Sequence, residues 1–367
     1  MDIEQPDRGD AIEVSLLDGA DPSLATIGTD LAEIRRICSD RSRPLADRLE
    51  AFRDLYESEV GDTILSRARN IEREVSLRQI YLKFEGDNPS GTQKDRIAFA
   101  QAMDALRRGF DSMTLATCGN YGVAVAFAAS LAGLRCVIYV PDSYRTRRIQ
   151  EMELHGAEVL RAPGDYESVV ETSRRRAEAE EIYDANPGGA NTALQLSAYG
   201  EIAYEIYDEI RDAPAAVAVP VSNGTTLAGI HKGFVSLYRR GKTSRIPRMV
   251  AGSSFGKNPI VRAYLKGVPT CEDLPPHKIR ETVVNEPLIN WSSIDGDHAL
   301  QAIRASVGWA ASVSDRSMLR LSKIVREQQG LSALPAATAG LVALLESHQA
   351  NALPNDRYVV ILTGRKT

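Results

Sequence analysis

Lys94 closes the run Glu85-Gly86-Asp87-Asn88-Pro89-Ser90-Gly91-Thr92-Gln93-Lys94-Asp95-Arg96. The run is rich in turn formers, and the residues after it (Ile97, Phe99, Ala100, Met103, Leu106) recur at helical spacing. A lysine so placed stands where a cofactor could meet a helix N-terminus. Its amine, once partly freed from water, is a nucleophile near neutral pH, and beside an acidic C–H it is a base. Asp95 and Arg96 read as helix-start capping and a structural ion pair.

Three more loops have the composition of ligand cradles. Thr117-Cys118-Gly119-Asn120-Tyr121-Gly122 lies between an apolar run and a helix of small residues, Val123 to Leu131. Glycines there let the backbone approach a ligand, and amides at a helix N-terminus bind an anion. Val217 to Val221 is a buried-strand pattern followed by Ser222-Asn223-Gly224-Thr225-Thr226 and a helix, the layout of a phosphate cradle. Tyr358 to Leu362 reads as a last strand running into Thr363-Gly364-Arg365-Lys366. Cys118 has no positioned histidine to activate it, and the five histidines are dispersed without metal-ligand spacing.

The elements that must position these loops alternate. Apolar runs at 113–117, 135–140, 157–160 and 182–183 are separated by helical stretches. Strands at 216–221, 248–253, 309–313 and 358–362 follow, with helices at 226–240, near 258–266, at 315–328 and at 336–348. Such alternation predicts right-handed β-α-β units and open parallel sheets, with ligands at the carboxyl ends of the strands. Residues 1–80 open on a polar segment and continue with helical periodicity, a lead-in without evident chemistry. Segment 267–298, rich in Pro, Asp and Asn, reads as a long irregular connection and a candidate functional loop. No G-x-G-x-x-G occurs, and Gly241-Lys242-Thr243 lacks the upstream glycine of a P-loop because position 236 is Ser.

The 367 residues suffice for two domains with substantial cores, and the net charge of −5 gives no basic face for nucleic acid. No apolar stretch approaches the ~20 residues of a membrane span. The N-terminus lacks a signal-peptide layout, and Cys38, Cys118, Cys136 and Cys271 form no C-x-x-C pair. A cytoplasmic enzyme acting on a small molecule, without a metal, is the expectation.

The four loops, in this order, resemble the signature of the fold-type II pyridoxal-phosphate (PLP) enzymes, the group of threonine synthase, cysteine synthase and the serine/threonine dehydratases. The resemblance spans roughly residues 60–367 and is closest to threonine synthase-like proteins over 216–266 and at Leu362-Thr363-Gly364. It implies two open, twisted parallel-sheet α/β domains with PLP in the cleft between them. The large domain would take 1–105 and 206–367, and a small inserted domain 106–205. Lys94 would form the Schiff base, and Asn120 would bond the 3′-oxygen of PLP. Ser222, Asn223, Gly224, Thr225 and Thr226 would hold the phosphate, with Thr363 beside the ring nitrogen. Thr117, Cys118, Gly119 and Tyr121 would hold an amino-acid substrate. A homodimer is expected.

The departures fall on the substrate side. Tyr121 replaces the usual Thr or His, and Gln93 the usual Phe. Leu334-Pro335-Ala336-Ala337-Thr338-Ala339 stands for E-P-A-S-A. Where threonine synthases show N-P-x-R-x-E-G-Q, this chain runs from Asn191 to Gly200, with Gln195 in place of a phosphate-clamping arginine. One lost contact to a charged group, about 1.5–3 kcal/mol, weakens a phosphorylated substrate roughly ten- to hundredfold. Arg145, Arg147 and Arg148 are the candidates to replace it. The expected activity is elimination or replacement on a β- or γ-substituted amino acid, threonine synthase-like but with an altered substrate. A cysteine- or cysteate-synthase-like β-replacement and a serine/threonine dehydratase are the neighbouring readings; a non-catalytic PLP-binding relative is the reading from another class.

Overall fold

The computed structural model describes residues 31–117, 119–142, 144 and 148–366. The polar opening segment, Cys118, Arg145 and Arg147 lie outside the described residues. Helices α1 (Leu31–Ser39) and α2 (Leu45–Glu59) lead into strand β1 (Leu65–Arg67), helix α3 (Arg69–Val75) and strand β2 (Ile80–Phe84). The two strands correct the expected helical lead-in. The apolar pattern of β2 is hidden because Lys83, a charged residue, is one of its buried positions.

Helix α4 (Lys94–Arg107) then leads into a four-stranded sheet, made from β3 (Ser112–Ala116), β4 (Arg135–Pro141), β5 (Glu158–Ala162) and β6 (Tyr183–Asp184). Its order is β5-β4-β3-β6 and every pair is parallel. Helices α5 (Asn120–Ala132), α6 (Arg148–Leu154) and α7 (Tyr166–Ala179) connect the strands. After α8 (Thr192–Ile210) the chain builds a larger sheet from β7 (Ala216–Pro220), β8 (Arg248–Ser254), β9 (Trp309–Val313) and β10 (Tyr358–Leu362), joined by β1 and β2. The order is β1-β2-β10-β7-β8-β9, parallel except that β1 runs antiparallel to β2. Strands β7 and β10 are buried throughout, as parallel strands covered on both faces must be. Helices α9 (Thr225–Arg239), α10 (Pro259–Lys266), α11 (Gly296–Ala305), α12 (Asp315–Gln329) and α13 (Ala339–Ala350) supply the cover. The expected fold class therefore holds.

Two contacts fix how these layers meet. Helices α8 and α9 cross so closely that a Cβ on Gly233 would lie 2.5 Å from the Gly200 carbonyl, and one on Gly229 2.7 Å from Tyr199 Cβ. The first turns of both helices are thereby brought to one place. The second contact is a buried ion cluster. Arg96 Nε reaches Glu85 at 2.6 Å, its Nη1 reaches Glu205 at 2.6 Å, and Lys83 Nζ reaches Glu205 at 2.6 Å. The cluster ties the end of β2 to α4 and α8.

Burial alone would raise the Glu205 carboxyl, but hydrogen bonds and charge from Arg96 and Lys83 outweigh it and hold it down to about 2. A carboxylate depressed from 4.5 to about 2 on folding contributes stability above pH 4.5 that is lost as pH falls toward 2. The loss should be roughly 3 kcal/mol. Glu205→Gln should flatten that acid limb and lower neutral-pH stability by about 3 kcal/mol, because Arg96 and Lys83 lose a buried partner. Denaturant midpoints of both proteins between pH 2 and 6, parallel rather than convergent on the acid side, would count against this assignment.

Candidate functional site

The loop that carries Lys94 is laced to the end of β10. Gln93 N donates to the Thr363 carbonyl at 3.0 Å, and Arg365 N to the Gly91 carbonyl at 2.9 Å. Asn88, buried at the head of the loop, donates to Glu85 and accepts from Gly61 N at 3.1 Å. Asp95 accepts from Ser90 N at 2.8 Å, so it ties the preceding loop instead of capping α4, which has no side-chain cap. Burial pushes its carboxyl up to about 7 against that hydrogen bond. Lys94 is thus the first residue of a helix whose approach is fixed on both sides.

Lys94 Nζ lies 5.7 Å from the centroid of the Tyr121 ring. Loss of water lowers its pKa from 10.5 to about 8, opposed by the charge of Asp295. A neutral amine is therefore abundant just above neutral pH, the state a nucleophilic lysine requires. Tyr121 itself is committed elsewhere: its hydroxyl donates to the Ala185 carbonyl at 2.7 Å and meets Gln101 Oε1. The ring walls the site, while the hydroxyl is buried away from it. Asn120 begins α5, and its side chain makes no hydrogen bond among the described residues. Gly119 N points to Thr117 Oγ1 at 3.5 Å. A Cβ on Gly122 would collide with Thr117 and Met152, at 2.6 and 2.5 Å.

The Ser222–Thr226 loop leads into α9 through Gly224 at φ +90, a conformation that favours glycine. A Cβ there would also lie 2.6 Å from Ala299, so Gly224 serves packing as well as the turn. The first intrahelical bond runs from Ala228 N to the Gly224 carbonyl, and no side chain caps the helix. Among the described residues the amides of Thr225, Thr226 and Leu227 have no acceptor. Three free amides, and no basic side chain in the loop, suit a phosphate. The loop is braced from behind. Asn258 Nδ2 donates to the Ser222 carbonyl at 2.9 Å, and Asn290 Nδ2 donates to Asn223 Oδ1 at 2.9 Å. Thr225 Oγ1 donates to Asp295 at 2.6 Å.

Lys94, Tyr121, Thr225 and Thr363 are thus linked through these contacts at the carboxyl ends of β2, β3, β7 and β10. Gln195 joins the same neighbourhood from the first turn of α8. It is 1% exposed, its Oε1 accepts from Gly188 N at 3.3 Å, and its Nε2 has no acceptor. The Tyr199 hydroxyl, one turn further, is buried beside Thr226, short of full hydrogen-bond geometry. Orphaned buried donors beside a free anion cradle are what a phosphorylated ring would satisfy, so the residues fit PLP. Arg148 pairs with Glu151, and its charge acts on Glu286.

The connection after α10 was flagged only by its length, and it supplies residues that sequence reasoning missed. Asn290, Ser293 and Asp295 back the phosphate loop, and Thr192 Oγ1 donates to Asp295 at 3.1 Å. Tyr144 bonds Glu286, and Trp291 donates to Glu167, so the connection also reaches the smaller sheet. Burial raises both carboxyls. The signal that could have found Asn258 is Asn258-Pro259, a helix cap followed by proline; its side chain accepts from Ile260 N and Val261 N. Asp295 precedes a glycine and reads as an ordinary turn.

The family model for "Pyridoxal-phosphate dependent enzyme" matches residues 56–364. Threonine synthase of Methanocaldococcus jannaschii is 27% identical over 305 residues, covering 83% of this chain and 74% of its own. Threonine synthase of Methanosarcina acetivorans is 27% identical over 341 residues, covering 92% and 82%. The processed form of threonine deaminase isoform 2 from Solanum lycopersicum superposes with a TM-score of 0.70 at 15% identity, covering 93% of this chain and 91% of that one. Maize serine racemase gives 0.70 at 18%, covering 87% and 94%. At such identities the two structures speak for the fold.

The desolvated lysine predicts a pH profile. At fixed PLP, the rate of capture should rise as the amine loses its proton and level off above about pH 8. A rate still climbing through pH 10 would mean an ordinary, hydrated lysine. Thr226→Val, which keeps the side chain's shape, should weaken PLP about three- to tenfold with the fold intact. Calorimetric PLP titration alongside a thermal melt checks this.

Proposed function

The chain belongs to the pyridoxal-phosphate dependent enzyme family and is related to threonine synthase; from that premise we propose that it catalyses elimination or replacement on a β- or γ-substituted amino acid. The observation that carries the reading is the Lys94 amine, lowered to about 8 by burial and set 5.7 Å from the centroid of the Tyr121 ring. When bound, PLP supplies an electron sink that makes the Cα–H of an amino acid acidic. The rest is the work of this chain's residues. Lys94 Nζ would hold the cofactor and, once released, take and return the proton at Cα, to which the fixed loop keeps it close.

The amides of Thr225, Thr226 and Leu227 would bind the phosphate, with the hydroxyls of Ser222 and Thr226 beside them. Asn120 would orient the ring from the other side. Thr363 offers the ring nitrogen a hydroxyl instead of a carboxylate, which tempers the sink and suits elimination and replacement. The backbone of Gly119 and its neighbours at the start of α5 would take the substrate carboxylate, while the Tyr121 ring shields the site from water. The proposed division into 1–105 with 206–367 and an inserted 106–205 gives each side of this cleft its own sheet. The described cysteines carry free thiols, in keeping with a reducing, cytoplasmic setting.

Exchange of the substrate Cα proton with solvent deuterium tests the reading, since it reports proton transfer at Lys94 whatever group departs. Wild type should exchange, and Lys94→Ala should lose at least a thousandfold of the rate, because holder and base vanish together. Comparable exchange in a folded Lys94→Ala protein would remove Lys94 from the mechanism.

A further inference from the structure

Arg365 is a charged residue that the chemistry above does not use, and it sits directly behind the loop of Lys94. Gln93, the residue before α4, caps nothing with its side chain, so contacts from outside the helix must fix how Lys94 enters it. Residues 363–366 supply them. Gly364 bridges to Thr92, and Gln93 N donates to the Thr363 carbonyl at 3.0 Å. On the other flank, Leu334 N donates to the Gly364 carbonyl at 3.0 Å and Lys366 N to the Ser332 carbonyl at 2.7 Å. The segment is a short rail, anchored on one loop and holding the other.

Arg365 adds a side-chain clasp to that rail. Its Nη1 donates to the Gly86 carbonyl at 3.3 Å and its Nη2 to the Pro89 carbonyl at 3.2 Å. Its own backbone N donates to the Gly91 carbonyl at 2.9 Å, so the carbonyls of Gly86, Pro89 and Gly91 all accept from one residue. The stem lies against Gly91, where a Cβ would meet Nε at 2.6 Å and Cγ at 2.9 Å. A Cβ on Gly86 would lie 2.8 Å from Arg365 N, so the approach requires glycine at both places. The positive charge also reaches Asp95, the buried acid next to Lys94 that accepts from Ser90 N.

We propose that Arg365 is a positioning residue for Lys94: by clasping the Gly86, Pro89 and Gly91 carbonyls it sets the reach of the Lys94 amine toward a ring anchored at Thr363. The inference rests on the reading of Lys94 and Thr363 given above. Thr363 lies two residues before Arg365, so one backbone segment carries both the far end of the ring and the clasp on the lysine's loop. Misplacing a reacting atom by about 1 Å costs rate, up to roughly a hundredfold, far more than it costs affinity. A loosened loop also readmits water to the amine and restores its hold on a proton. Lysine at position 365 would reach one carbonyl at a time, because only a planar fork serves two.

Arg365→Met keeps most of the stem and removes the donors, while Arg365→Lys keeps the charge. The full chain, freed of cofactor, is mixed with PLP, and capture is followed by visible absorption across a pH series. Binding of pyridoxine 5′-phosphate, which has no aldehyde and so needs no lysine, is titrated in parallel by calorimetry. Arg365→Met should capture PLP about tenfold more slowly, with the midpoint of its pH profile raised by about half a unit or more. Its binding of pyridoxine 5′-phosphate should stay within about twofold of wild type. Asp295, whose charge acts on Lys94, is untouched in every variant, so the shift reports the loop. Arg365→Lys should fall between the two. A wild-type rate and midpoint in Arg365→Met overturns the proposal. So does a loss of pyridoxine 5′-phosphate binding as large as the loss of capture, which would mark a general structural role. Arg365→Lys decides alone, by the same readouts, if Arg365→Met does not fold. Wild-type protein with no Lys94-dependent absorption would instead overturn the reading of Lys94, leaving the two failures distinct.

Discussion

One guanidinium holds the site together. Arg96, 2% exposed, donates to Glu85 through Nε and Nη2 at 2.6 and 2.9 Å, and to Glu205 through Nη1 and Nη2 at 2.6 and 2.9 Å. Glu85 follows β2, Glu205 projects from α8, and Arg96 itself belongs to the first turn of α4. A planar, delocalised fork can serve two carboxylates at once, which the point charge of a lysine cannot. Lys83 supplies the second positive charge, so two acids are balanced by two bases away from water. Since Lys94 precedes Arg96 on the same turn, fixing the fork fixes the amine.

What Arg96 holds, the α8–α9 crossing exploits. Glycines at the crossing let the helices approach to backbone distance, which brings Thr192, Gln195 and Tyr199 over the start of α9. The anion cradle then needs no cation of its own, because three free amides meet at one helix end. The connection after α10 closes the cradle from the other side, through Asn258, Asn290 and Asp295. Neutral donors toward the cofactor and a carboxylate toward Lys94 make a divided field. The amine is pulled toward its neutral form by burial and back toward its charged form by Asp295, and burial wins.

The candidate motifs were legible because each is local. A lysine after a turn-rich loop, a Gly/Ser/Thr turn between a buried strand and a helix, and a small-residue helix start are all laid out in consecutive residues. The two parallel sheets were legible for the same reason, since strand and helix periods alternate along the chain. Gln195 stood out only against a family pattern, and its orphaned amide is visible only once α8 is packed. Strand β2 was hidden because Lys83 breaks the apolar pattern, and its charge makes sense only beside Glu205, far along the chain.

The sequence by itself therefore determined the family, the cofactor, the sheet class and the position of Lys94 at a helix start, all of which rest on short-range spacing. Tertiary structure alone decided which way the committed side chains face. Tyr121 is a substrate-contact candidate in the chain, and packing turns its ring toward Lys94 while Ala185 and Gln101 capture its hydroxyl. Asp295 reads as an ordinary turn residue in the chain and serves Thr192 and Thr225 instead. The reason is physical: a buried polar group takes the partner that packing places within about 3 Å, and for both residues that partner comes from a distant part of the chain.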